Sequence, residues 1–284
     1  MASLNEATRP PKRPRPYWHV DAKWICGLFL FAALSLTLFV NSLAAMTAEE
    51  PAVETISMLM ALQTSRNGLD DETEIAAFRQ QLQQSPDRVF RPFPGMPVTI
   101  READLVGVSP RELRLRLWRE FARPLYRDGA EGLAAQIEDP EMAAGLSAGV
   151  GPLALFSLEA HATLRTARNL LALVCLLLLA LVVVFSFRFG RLGSPGVVMA
   201  AAAAPGWLVV TLLSMAAQRE MSSTPPGEEA GITGMANYLA GHLLPLLIPH
   251  ARGVYGLCLA AGLILIGGAV VGSLIWRLAR PARR

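Results

Sequence analysis

Apolar residues in this chain do not alternate evenly with polar ones. They gather in four blocks: Trp24 to Ala45, Leu170 to Phe187, Val197 to Ala217 and Val254 to Trp276. About 20 helical residues cross a bilayer core about 30 Å thick, and each block is close to that length. A barrel strand would be only about 9–11 residues long with alternating polarity, whereas these blocks are apolar all round. The pattern predicts an all-α membrane protein with four transmembrane helices.

Between the first two blocks, residues 46–152 are the only part of the chain large enough for a water-soluble domain, and their signals are mainly helical. Glu50-Pro51 opens an apolar-periodic run (Ala52, Val53, Ile56, Leu59, Met60) that Asn67-Gly68 stops. Asp70 or Asp71 caps a second helix reaching Gln84. Four prolines (Pro86, Pro92, Pro94, Pro97) and Gly95 mark an irregular linker, and Val98 to Ile100 reads as a short strand with no visible pairing partner. Ser109-Pro110-Arg111-Glu112 is a capping box with proline at the first helical position. Leu113, Leu115 and Leu117 after it fit a strand period, while Leu113, Leu117 and Phe121 fit a helix; the cap and the length decide for helix, with Pro124 expected to kink or end it. Asp139-Pro140-Glu141 begins another helix, interrupted between Gly149 and Pro152.

No proline or glycine occurs from Leu153 to Phe187. Two readings stay open there: one 35-residue helix, about 52 Å long at 1.5 Å per residue, or an interfacial helix bending near Arg165 into the second span. Ser222 to Gly231 reads as a loop. Met235 to Ile248 is apolar but short and contains Pro245, so it is expected to be interfacial or re-entrant.

Composition adds little to this, since 52% hydrophobic and 17% charged residues restate the four blocks. It excludes a disordered chain, and nucleic acid is not an expected partner. The distribution of charge adds an orientation. The arm before block one, the loop between blocks two and three and the C-terminal tail hold 11 basic and two acidic residues, while residues 47–167 balance at −6 and 218–253 at −1. Basic flanks stay inside, so both termini are expected in the cytoplasm of a cell bounded by a plasma membrane. The expected order is a cytoplasmic basic arm (1–23), transmembrane helix 1 (24–45), an extracytoplasmic, mainly helical domain inserted between helices 1 and 2 (46–152), a juxtamembrane helix and transmembrane helix 2 (153–187), a cytoplasmic loop (188–196), transmembrane helix 3 (197–217), an extracytoplasmic loop with an interfacial helix (218–253), transmembrane helix 4 (254–276) and a cytoplasmic basic tail (277–284). Block one also resembles a signal peptide, with small residues at Ser42 to Ala45. Its long apolar run and long basic arm favour an uncleaved signal anchor.

Candidate chemistry is sparse. Cys26, Cys175 and Cys258 each fall within an apolar block and read as small hydrophobes. His19, His161, His242 and His250 form no ligand motif, and no G-x-S-x-G, Walker or G-x-G-x-x-G pattern occurs, so no catalytic residue, metal or cofactor is expected. Blocks two to four contain no Asp, Glu, Lys, Arg or His, which argues against a coupled transporter. Two features stand out as candidate sites. Gly268 and Gly272 form a G-x-x-x-G pair for close helix packing, within the chain (against Ala200 to Ala204) or between copies. Arg111, Arg114, Arg119 and Arg123 are candidate contacts for anions or lipid heads, although interleaved Glu112, Glu120 and Asp128 also fit an ordinary solvated face. The expected function is a non-enzymatic integral membrane protein whose external helical domain binds a partner, a ligand or the membrane surface. The alternatives are a permease or channel component, and a membrane-embedded enzyme acting on lipid. Expected partners are the lipid bilayer and a membrane-protein partner or a second copy.

Overall fold

A computed structural model of the chain describes residues 18–64, 76–77, 80, 82–85, 89–90, 100–101, 107–134, 151–186, 189–223 and 232–279. The described chain is almost wholly helical. Its elements are α1 (Trp18–Met46), α2 (Glu49–Thr64), strands β1 (Val89–Phe90) and β2 (Ile100–Arg101), α3 (Pro110–Ala134), a 3-10 turn (Gly151–Phe156), α4 (Leu158–Phe185), α5 (Gly190–Ser223) and α6 (Ile232–Leu278). Four helical segments are long and apolar enough to cross a membrane: Val20–Met46, Leu158–Phe185, Gly190–Ala216 and Ile248–Leu278.

Their side chains behave as a lipid-solvated bundle requires. Large apolar residues point outward along all four, with Leu257 at 75% and Ile264 at 73% exposure among them. A soluble protein rarely presents so large a continuous apolar surface to water. The inward residues are few: Leu30, Cys175 and Val182 form one buried cluster, joined by the half-buried Cys26, Leu34 and Val198.

α5 and α6 make the tightest pair, and small residues let them approach. A methyl group added to Gly196 would lie 2.7 Å from the Gly262 carbonyl oxygen, and one on Gly262 would lie 2.7 Å from the Ala200 nitrogen. Gly193 meets Ala269, Gly206 meets the Tyr255 ring, and Gly272 meets the Phe189 ring. These pairs step down one helix as they step up the other, so the two run antiparallel. Pro195 and Pro205 lie inside α5, and Pro245 and Pro249 inside α6, without ending either helix. α6 therefore runs 47 residues, about 70 Å at 1.5 Å per residue. Met235 to Ile248, with Pro245, thus belong to the same continuous helix as the fourth span.

The segment between the first two spans folds around a second, separate core. α2 buries Ala52, Val53, Ile56, Met60 and Ala61; α3 buries Leu113, Leu117, Trp118, Phe121, Ala122, Leu125 and Tyr126. Both stripes recur in adjacent pairs every four residues, the spacing of one broad helix face. Trp118 meets Phe121 edge-on at 5.6 Å, a favoured aromatic geometry. Ser109 caps α3, its hydroxyl accepting from the Glu112 N–H at 3.2 Å, as the capping box predicts. α3 passes through Pro124 and is interrupted instead at Gly129, where φ is 71°. Glycine takes that left-handed conformation at no steric cost, so the break falls where the backbone is free to turn. Ile100 pairs with Phe90 and Arg101 with Val89, antiparallel. Of the expected strand Val98 to Ile100, Ile100 lies in β2, while Val98 and Thr99 lie outside the described residues; the partner β1 is too short to show in a pattern.

At the second span the helix starts at Leu158, not Leu153. The Ser157 hydroxyl accepts from the Ala160 N–H, and the preceding residues wind as the 3-10 turn. The capping serine sets the boundary, and neither the 35-residue helix nor a bend at Arg165 is observed. The expected stop at Asn67-Gly68, the cap at Asp70 or Asp71, the prolines Pro86 to Pro97 and the helix from Asp139 lie outside the described residues.

Gly262→Ala is expected to lower the stability of the full-length protein by roughly 1–3 kcal/mol through overpacking, read as thermal unfolding in detergent. Gly268→Ala is expected to change nothing, since no atom lies within 4 Å of its new methyl group. Equal effects would refute the close α5–α6 approach.

Candidate functional site at the junction of the two cores

Only Thr47 and Ala48 separate α1 from α2, so the chain turns from bundle to helical unit within one polar step. Thr47 is buried. Its hydroxyl donates back to the Leu43 carbonyl at 3.2 Å and lies 3.3 Å from that of Ala44. The same oxygen is 3.2 Å from Nδ1 of His161, one turn into α4. With the threonine hydrogen committed to its own helix, this assignment makes His161 the Nδ1–H donor. The Thr47 carbonyl in turn accepts from the Tyr126 hydroxyl at 3.1 Å. Two residues on, Glu49 Oε1 accepts from Arg127 Nη2 at 2.6 Å and Nε at 3.1 Å. Residues 47–49 thereby tie α3 and α4 to the end of α1.

Each bond has a local cause. α3 carries Tyr126 into the core on the same column as Trp118 and Ala122, and a buried phenol needs a partner for its polar tip. Burial, and secondarily the charge of Glu49, push the Tyr126 phenol above its ordinary range. The hydrogen bond to Glu49, with its charge, raises Arg127. Glu49 also sits in the first turn of α2, where the helix dipole favours a carboxylate. The network joins two hydroxyls, the His161 imidazole and one exposed ion pair, and its bonds run between four helices.

The four candidate arginines do not converge. Arg114 is 4% exposed and packs on the core side of α3, Arg111 and Arg119 are half-buried, and Arg123 is exposed. Arg114 and Arg123 are nine residues apart, which at about 100° per residue places them on opposite sides of the helix. Arg123 with the exposed Arg116, itself 3.8 Å from Glu112, is left on the outer face. Of the glycine pair, Gly272 lies against Phe189 while Gly268 faces open space. The close approach to Ala200 belongs to Gly262.

His161 is at the junction, His250 is exposed near the start of the fourth span, and the side chains of His19 and His242 lie outside the described residues. Among the described residues no group of three His, Cys, Asp or Glu is placed to hold a metal. The thiols lie within the bundle, Cys175 Sγ 3.3 Å from Thr37 Oγ1 and Cys258 Sγ 3.9 Å from the Met199 carbonyl. No motif in the sequence marks Thr47, Glu49, Tyr126 or Arg127, and His161 belongs to no ligand pattern. The signal available was Tyr126 itself, a residue with a polar tip lying on the apolar stripe. Comparison with protein-family models, curated proteins and solved structures finds no match for this chain.

A Tyr126→Phe substitution leaves the Thr47 carbonyl without its donor and is expected to cost roughly 1–3 kcal/mol at neutral pH. Because the folded phenol titrates above its ordinary value of 10.0, its stabilising contribution is present below that pH and is lost as pH rises through the folded value. Urea unfolding across alkaline pH should show a steeper loss for the wild type than for Tyr126→Phe. Parallel curves would refute the buried bond.

Proposed function

We propose that the chain is a multi-pass protein of the plasma membrane, anchored by an uncleaved first span, with both termini in the cytoplasm and the α2–α3 unit on the extracytoplasmic side. In this reading it is a non-enzymatic binding protein, and the unit is a rigid head that presents the outer face of α3 to a membrane-protein partner. One observation carries the proposal: the head has its own core and is fastened directly to the ends of α1 and α4 through Thr47. A head held in this way keeps one face toward the membrane and the other, bearing Arg116, Glu120 and Arg123, in water. Charge supports the orientation, because the basic excess lies at the opposite end of the spans. Preorganised presentation is what a docking face gains from such fastening, since less motion is frozen on binding.

Cysteine labelling tests the orientation and cross-linking tests the role. In a variant lacking Cys26, Cys175 and Cys258, Arg123→Cys is expected to react with a membrane-impermeant maleimide on intact cells, and Arg284→Cys only after permeabilisation. The reverse pattern would invert the topology. A photo-reactive amino acid at position 123 is expected to give one discrete adduct in intact cells, lost when the probe is moved to the half-buried position 115. A chain that stays a lone monomer with probes across the outer face would overturn the binding role.

A further inference from the structure

The four spans differ in how far they run without a charge. Charge-free stretches cover residues 24–46 of α1, 169–185 of α4, 192–218 of α5 and 253–276 of α6, or 23, 17, 27 and 24 residues. At 1.5 Å per residue these reach about 34, 25, 40 and 36 Å, and only the α4 stretch falls short of a bilayer core about 30 Å thick. At the end away from the head the helices share one level. Trp18 meets Phe185 edge-on at 6.2 Å, and Trp276 meets Phe189 edge-on at 6.3 Å. Indole rings at one end of apolar helices mark the level of lipid headgroups. Counted from that level, the α4 shortfall lies at its head end, where Arg168 and then Arg165 enter the helix. Arg165 is exposed and Arg168 is half-buried. Just inward of them Leu170 and Leu173 are exposed along the apolar part of the span.

Neither α4 nor the α1 helix packed along it supplies a counter-charge. Residues 160–186 contain no Asp or Glu. The contacts of Thr47 with His161 and of Thr37 with Cys175 set residues 38–46 of α1 against this part of α4, and α1 is uncharged there. Glu49, the next carboxylate along the chain, is bound to Arg127. Arg168 donates from Nε and Nη2 to Asn169 Oδ1 at 3.3 and 3.1 Å. That orients the guanidinium and leaves three of its five N–H groups, while a neutral amide leaves its charge unbalanced. An arginine near the end of a span turns its charged tip toward the headgroups. Side chains of a helix lean toward its N-terminus, and the N-terminus of α4 is its head end, so both arginines lean outward to the phosphate level of that leaflet. We infer that Arg165 and Arg168 bind the phosphate of an anionic phospholipid in the head-side leaflet, with Leu170 and Leu173 along its acyl chain. Guanidinium forks match phosphate oxygens, and two adjacent cations favour a headgroup with no positive charge of its own. A span shorter than the bilayer draws the neighbouring headgroups inward, which brings the phosphate to the arginines. The inference requires that the spans cross a bilayer, and not that the head occupies one particular side of it.

The test is lipid retention by the full-length protein in mild detergent, offered equal amounts of phosphatidylglycerol and phosphatidylcholine and read by native mass spectrometry. The wild type is expected to retain phosphatidylglycerol in preference to phosphatidylcholine. Joint substitution Arg165→Leu and Arg168→Leu is expected to weaken that retention about tenfold, the loss of charge-assisted contacts to phosphate. Joint substitution Arg165→Lys and Arg168→Lys is expected to keep part of it, since the charges remain without the fork. The leucine pair lengthens the apolar run of α4, so the lipid-free variant should melt no lower than the wild type, which separates lost binding from lost folding. Arg252→Leu, at the exposed head end of the longer α6 stretch, is expected to retain lipid as the wild type does. No preference between the lipids, or equal retention by the wild type and the leucine pair, would overturn the proposal. An equal loss in Arg252→Leu would also overturn it, by reducing the effect to general surface charge, as would displacement by millimolar inorganic phosphate, by showing a site for a free anion.

Discussion

Lipid in place of water removes the hydrophobic drive that holds ordinary helices together, and the bundle is organised around that loss. Apolar side chains gain nothing by leaving a bilayer for a protein interior, so spans associate through close packing and polar contacts. Gly196, Gly262 and Ala200 supply the first, letting backbones of α5 and α6 approach to within a side chain's width. The Thr37–Cys175 and Cys258–Met199 contacts supply the second, joining α1 to α4 and α6 to α5. Large residues such as Leu257 and Ile264 are left to the solvent they match.

The α2–α3 unit obeys the opposite rule within the same chain. Its core is aromatic and aliphatic, its buried hydroxyls are satisfied by their own helices (Ser57 to Val53, Thr55 to Pro51), and among its described residues Arg114 is the one charged side chain that is buried. The two regimes meet across two residues, and that explains why the junction is polar. At an interface neither water nor hydrocarbon satisfies every backbone group. Thr47 accordingly uses its hydroxyl and its carbonyl to bond His161 and Tyr126 from two other helices. A single residue thus links the α2–α3 core to the apolar bundle.

The spans were legible because their signal is one-dimensional: composition over about 20 residues decides, whatever the neighbours are. The α3 cap was legible for the same reason, since Ser109 and Glu112 act within one turn. Boundaries set by competition between neighbouring elements were harder to read. Pro245 reads as a breaker, yet α6 runs through it; Gly129, unremarkable in sequence, is where α3 turns. The candidate sites were harder still. Gly268-x-x-x-Gly272 fits the packing pattern, but which glycines touch α5 depends on the register of the hairpin, and that register brings Gly262 to Ala200. The candidate arginines Arg111, Arg114, Arg119 and Arg123 look like one cluster until the helix separates Arg114 from Arg123 by half a turn.

The two ends of the bundle are therefore built on different terms. At one end every buried polar group described at Thr47, Tyr126 and His161 finds a partner within the protein, and the result is a fixed joint. At the other, the buried Ser186 hydroxyl does not. A serine in that position is costly as a purely structural residue, because alanine would fill the same space without a group to satisfy. What joins the end of α4 to the start of α5 is instead the bond from Arg191 Nε to the Ser186 carbonyl, a charged side chain on a backbone group, where Thr47 works from within the chain by a hydroxyl and a carbonyl.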